Sequence, residues 1–166
     1  MSRPIGAPAG EDAGDALLSG TYRGTPGRDV LQAEETDNFD TLYGLGGDDE
    51  FYVDDDSSGY DFFGGDGSDL ISGYAIYATA HGDAGNDRIS LSGESIGVRA
   101  GAGDDTVRVG AQRASVLGED GNDLLDVLSY PYGGLVDGGN GNDTLLVGNL
   151  ISSEGADRVV ARRGGR

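Results

Sequence analysis

The chain has 166 residues, 30 acidic against 11 basic, a net charge of −19 and no cysteine. That length suits one domain, the charge repels nucleic acid, and the missing thiols exclude disulfides, thiolate metal sites and cysteine nucleophiles. No apolar run approaches the roughly 18 residues of a membrane span, and the first thirty residues lack the layout of a cleavable signal peptide, so export is expected without one.

Residues 1–22, which include EDAGDALLSG, have little periodicity and read as a mobile acidic tail. A single domain is expected over 23–160, followed by a loose tail, ARRGGR, at 161–166. GTPGRDVLQ from Gly24 opens a nine-residue pattern with Asp29 in sixth place, and Asp40 lies one nonamer before Asp49. Six clear copies follow: GLGGDDEFY from Gly44, GGDGSDLIS from Gly64, GDAGNDRIS from Gly82, AGAGDDTVR from Ala100, GEDGNDLLD from Gly118 and GGNGNDTLL from Gly138. Their sixth-position aspartates are Asp49, Asp69, Asp87, Asp105, Asp123 and Asp143, spaced 20, 18, 18, 18 and 20 residues apart. GADRVV carries Asp157 in the same place. The copies around Asp29, Asp40 and Asp157 are read as capping coils.

Aligning the six aspartates sorts the other residues by two-residue alternation, the mark of strands with one buried face. Two places after each Asp stand Phe51, Ile71, Ile89, Val107, Leu125 and Leu145; four places after stand Val53, Gly73, Leu91, Val109, Val127 and Val147. Seven places before the last five aspartates stand Phe62, Ala80, Val98, Val116 and Val136, and nine before stand Tyr60, Ala78, Ile96, Ala114 and Gly134. Each unit therefore supplies two short facing strands and two corners, and stacked units form a parallel β-helix of 18–20 residue coils. Leu, Ile, Val and Phe make up only about a fifth of the chain, near the level at which a strongly charged sequence stays disordered. The 32 glycines raise the entropy lost on ordering. Something besides apolar burial has to stabilise the stack.

The corner G-x-x-G-x-D supplies it. Glycine at the first and fourth places permits positive φ, so carbonyl oxygens can turn toward a common point that the Asp carboxylate joins. Oxygen-only ligands in irregular geometry suit calcium better than magnesium. Six stacked turns leave five gaps, so about five calcium ions are expected in one row, with weaker sites toward Asp40 and Asp29.

These turns resemble the repeats-in-toxin (RTX) nonapeptide G-G-x-G-x-D-x-U-x, which GGDGSDLIS and GGNGNDTLL match in full. The resemblance covers roughly residues 24–160. It implies a right-handed parallel β-roll that exports unfolded and folds on extracellular calcium. The ligands it implies are the six aspartates and carbonyls around Gly47, Gly67, Gly85, Gly103, Gly121 and Gly141 in fourth place and Gly65, Gly101 and Gly139 in second place. Second-place glycine is replaced by Leu45, Asp83 and Glu119, and first-place glycine by Ala100, which predicts distorted turns there or, at Asp83 and Glu119, an added carboxylate. The opposite corners, DDDSSG, YAIY, SGES, GAQR and SYPYGG, lack the motif, so only one edge is expected to bind calcium. The family's export signal normally follows the repeats, and the short basic end here suggests an excised module.

No catalytic constellation stands out. His81 is the only histidine and faces outward; Ser57, Ser58, Ser152 and Ser153 read as turn formers. The resulting expectation is a non-enzymatic, secreted or cell-surface module with a structural or adhesive role. Polysaccharide binding by Tyr74, Tyr77, Tyr130 and Tyr132 at the far corners is a rival, as is a polysaccharide lyase or epimerase. Tyr43 and Tyr52 project outward, and Arg88, Arg99 and Arg108 are expected to pair with surface acids or hold an anionic sugar. Ice binding, the remaining rival, would need a threonine rank that the third and fifth places lack.

Overall fold

A segment that alternates apolar and polar residues between glycine-rich bends can bury one face only as a strand. The computed structural model describes residues 21–32, 40–54, 59–129, 134–148 and 158–160, and over these the chain is all-β, without helix. The strands are β1 (Thr21–Arg23), β2 (Val30–Gln32), β3 (Asp40–Gly46), β4 (Glu50–Asp54), β5 (Tyr60–Asp66), β6 (Leu70–Ala84), β7 (Arg88–Ala102), β8 (Thr106–Asp120), β9 (Leu124–Ser129), β10 (Leu135–Asp137), β11 (Thr144–Gly148) and β12 (Arg158–Val160). Every pairing is parallel. One face runs β1-β3-β5-β6-β7-β8-β10-β12, and the other links β2, β4, β6, β7, β8, β9 and β11. This is a β-solenoid of about six turns.

The register places like residues on like. Phe51 pairs with Ile71, Ile71 with Ile89, Ile89 with Val107, Val107 with Leu125 and Leu125 with Leu145. On the facing strand Phe62 pairs with Ala80, and the column continues through Val98, Val116 and Val136. The inward columns named from the alternation are buried apart from Leu145 and Val147, which pack half-buried at the C-terminal end, and the glycines. Bulk is shared between coils: the Tyr60, Phe62 and Phe51 rings pack together, and the next coil places only Ala78 and Ala80 above the first two.

Three features differ from the expected layout. First, β6, β7 and β8 each run 15 residues without a break, so two expected strands are joined. The far corner keeps its ladder because small residues fill it; Ala75 and Ala111 are buried there, and Gly93 at φ +155° passes close under Ala75 O. Second, Asp40 is not in the aspartate row. It pairs with Tyr60 at the start of β3 and is buried, because nine residues are half a coil and carry it to the opposite side. Third, Asp157, Tyr130 and Tyr132 lie outside the described residues, while β12 beside β10 shows the stack continuing past Gly148.

The outer face of the first sheet carries a stack that includes Tyr43 and His81, both expected to face outward. The Arg23 guanidinium lies 4.7 Å from the Tyr43 ring centre, Tyr43 stacks on Phe63 at 4.9 Å, and Phe63 stacks on His81 at 4.6 Å. In-register rings on neighbouring parallel strands cover the sheet and stabilise it. His81 has a packing role here.

Candidate metal centre

Each six-residue turn sits on the one before, and its N–H groups are taken up almost entirely by the neighbouring coils. The fourth-place amide donates to the third-place carbonyl of the next coil, as in Gly67 N to Ala84 O at 2.8 Å. The fifth-place amide donates to a fifth-place side chain below, as in Asn122 N to Asp104 Oδ1 at 2.8 Å and Asn142 N to Asn122 Oδ1 at 3.0 Å. The seventh-place amide donates to the aspartate carbonyl below, as in Arg88 N to Asp69 O at 2.8 Å.

The sixth-place aspartates form one column. Asp49 N donates to Asp69 Oδ1, Asp69 N to Asp87 Oδ1, Asp87 N to Asp105 Oδ1, Asp105 N to Asp123 Oδ1 and Asp123 N to Asp143 Oδ1, over 2.7–3.1 Å. One oxygen of each carboxylate is thereby fixed. The other, Oδ2, is buried without a hydrogen-bond partner in Asp49, Asp69, Asp87, Asp105, Asp123 and Asp143. An orphaned buried carboxylate oxygen is expensive once, and six in file call for a shared cause.

Burial pushes the Asp87 carboxyl up to about 7 and those of Asp49 and Asp105 up to about 6, and it raises Asp69 and Asp123 as well. The backbone N–H bond opposes the shift in each, and neighbouring acids add to it: Asp105 and Asp69 at Asp87, Asp123 at Asp105. Bare carboxylates are thus disfavoured in this column.

The glycines locate what Oδ2 faces. A methyl group on Gly44 would lie within 3 Å of both Asp49 Oδ2 and the Gly64 carbonyl oxygen of the next coil. Gly64 is closed in by Asp69 Oδ2 and Gly82 O, Gly82 by Asp87 Oδ2 and Ala100 O, and Gly118 by Asp123 Oδ2 and Gly138 O. Carboxylate and carbonyl oxygens therefore converge on a cradle that a Cβ would fill. The ligands expected from the sequence lay at second- and fourth-place glycines and did not include these first-place ones, whose recurrence in five of the six turns was the available signal. The fourth-place glycines stack carbonyl to carbonyl: Cβ atoms on Gly67, Gly85, Gly103, Gly121 and Gly141 would overlap Gly47 O, Gly67 O, Gly85 O, Gly103 O and Gly121 O in turn. In second place Gly65, Gly101 and Gly139 lie equally close over Leu45 O, Asp83 O and Glu119 O.

Substitution in second place does not distort the turn. Leu45, Asp83 and Glu119 hold φ of 80°, 70° and 74°, the same region as Gly65, Gly101 and Gly139. The strain is carried by the residue instead. Leu45 is 44 % exposed, so its side chain contributes little packing. Leu45→Gly is expected to gain about 0.5 kcal/mol, relief of positive-φ strain less the entropy of a new glycine, read as a small rise in melting temperature. Glu119 turns to Arg99, with Nη1 to Oε1 at 2.8 Å on the outer face, and Asp83 lines the same outer cleft with His81. Elsewhere on the surface Arg108 pairs with Asp126 at 3.6 Å, as expected of the outward arginines.

Among the described residues no three His, Asp or Glu side chains gather closely enough to hold a metal alone. A cation here would need backbone oxygens beside the six Oδ2 atoms, and the carbonyls of Gly64, Gly82, Ala100 and Gly138 line the same cradles as Asp49, Asp69, Asp87 and Asp123 Oδ2. That donor set fits a hard, oxygen-preferring ion.

The family model for the RTX calcium-binding nonapeptide repeat (4 copies) matches residues 23–58, 61–75, 79–93, 99–127 and 135–149, well over half the chain. No curated protein and no solved structure matches it.

Proposed function

The chain belongs to the RTX calcium-binding repeat family, and from that premise we propose that it is a calcium-dependent β-roll module of a secreted or surface protein, with a structural or adhesive role. The observation that carries the reading is the file of six buried Oδ2 atoms without partners. The residues that would hold the ions are Asp49, Asp69, Asp87, Asp105, Asp123 and Asp143, with carbonyls of the glycine-lined turns. Calcium supplies the positive charge that turns a repelling column into a cohesive one. The chain's own part is to aim the oxygens: Oδ1 is tied to the coil below, Oδ2 is left facing the next coil, and first-place glycine keeps the space clear in every turn but that of Ala100.

Ligand binding linked to folding stabilises only the folded form. Low cytosolic calcium would leave the acidic chain extended for export, and millimolar calcium outside would fold it. Equilibrium dialysis with elemental analysis is expected to find about five calcium ions per chain, one for each gap between six turns, and far less magnesium. Negligible uptake, or equal uptake of both ions, overturns the reading.

A second reading rests on a shallow groove of about 540 Å³ at the corner opposite the aspartate row. Tyr77, Thr79, Ser95, Arg113 and Ser115 line it with Asp61, a mix of exposed ring and polar groups that suits a polysaccharide. A glycan array in calcium buffer separates the two; an array without binding removes this reading alone.

A further inference from the structure

The turn Gly24–Asp29 stands in line with the aspartate row but differs from it in backbone and in one side-chain contact: neither Thr25 nor Gly27 takes the positive φ of the second and fourth places above. Asp29 N donates to Asp49 Oδ1 at 2.7 Å, Glu50 N donates to Asp29 O at 2.9 Å, and a Cβ on Gly24 would lie 2.6 Å from Asp29 Oδ2 and 2.8 Å from Gly44 O. Contacts of these kinds recur in the turns above it. The side-chain difference is at Oδ2. In Asp29 that oxygen accepts hydrogen bonds from Thr25 N and, at 3.0 Å, from Thr25 Oγ1. The hydroxyl also lies 3.3 Å from both Gly27 N and Gly27 O, so one side chain ties the second, fourth and sixth places together.

Resting on the calcium reading, we propose that Thr25 stands in for the cation in the first turn and ends the row there. Backbone geometry supports it. Second-place residues from Leu45 to Gly139 have positive φ, whereas Thr25 does not. A β-branched residue resists that region, and with the peptide in its ordinary conformation the Thr25 N–H is directed at the carboxylate. Pro26 agrees with a terminal position. β1 and β2 end the strand order among the described residues, and higher up the third-place amide reaches down to the coil beneath, as Asn140 N does to Glu119 O at 2.6 Å. Proline has no such N–H to leave unpaired. The first turn is thus a metal-free cap on which the calcium-bearing coils stack.

The test counts ions on the full chain in saturating calcium, with circular dichroism to verify folding. The wild type should bind five, Thr25→Ser five, and Thr25→Gly, which restores a glycine able to take positive φ, six. Asp29→Asn should leave the count at five and Asp49→Asn should lower it by one, which keeps the test decisive if Thr25→Gly fails to fold. A wild-type count of six, a Thr25→Gly count of five, or an ion lost in Asp29→Asn overturns the proposal. Zero uptake by the wild type instead overturns the calcium reading on which it rests.

Discussion

In excess chelator at pH 7.5 the chain is expected to give a disordered far-ultraviolet spectrum, and calcium should restore strand where magnesium does not. Stacked carboxylates ~5 Å apart repel by about 1 kcal/mol per pair in water and ~3 kcal/mol at an effective dielectric of 20, and the column holds six of them. The apolar core facing that load is two columns on each side of a thin coil, with only alanine at three places, Ala78, Ala80 and Ala114. Acid should partly replace the metal. Folded-state values near 6 and 7, against 3.8 for a free aspartate, mean that the metal-free stack binds more protons than the unfolded chain between about pH 4 and 7. Its stability therefore falls as pH rises through that window. Spectra in chelator from pH 4.5 to 8 should show most strand at the acid end. The calcium midpoint should move the other way, rising as the pH drops and protons compete. A chelated chain fully folded at pH 7.5 contradicts the electrostatic account.

Gly85→Ala is expected to be strongly damaging. Gly85 lies mid-row at φ +139°, and its added Cβ would overlap the Gly67 carbonyl. Backbone on backbone cannot yield without parting two coils. The expected loss is about 3 kcal/mol or more, from positive-φ strain and broken stacking together. Thermal melting in saturating calcium measures it. Gly110→Ala is the control: its φ is not positive and its Cβ would meet only Ser92 Cβ at 3.9 Å. That change should be neutral or stabilising by about 0.5 kcal/mol. Equal losses in the two variants would show that coil spacing is not set by the turn glycines.

The stacking order and the inward columns were legible because the aspartate register and the period of two are both sequence properties. Ile71 over Phe51 and Val98 over Ala80 follow from counting. What counting could not supply was side. Asp40 looks like a member of the row at nine residues from Asp49, yet a nonamer is only half a revolution. Backbone state was equally hidden: Leu45, Asp83 and Glu119 look like breaches of the motif, and the turn absorbs each as local strain. The cradle at Gly44, Gly64 and Gly82 was overlooked because a first-place glycine reads as turn chemistry until the carboxylate oxygen beside it is seen. The turn GTPGRD was read as one more copy of the pattern and Thr25 passed over, since nothing in a string of letters says where a hydroxyl points.

The crosswise lacing of the turns has a wider consequence. Sixth-place carboxylates take amides from the coil beneath while fifth-place side chains take amides from the coil above, so each layer is clipped to both neighbours and to nothing farther. The smallest quantity that can be gained or lost is then a whole layer, and the module behaves as a one-dimensional lattice whose resilience grows with the count of layers. Evolution can lengthen or shorten such an object in steps of 18 residues, from Asp87 to Asp105 for example, without reworking anything on either side of the join.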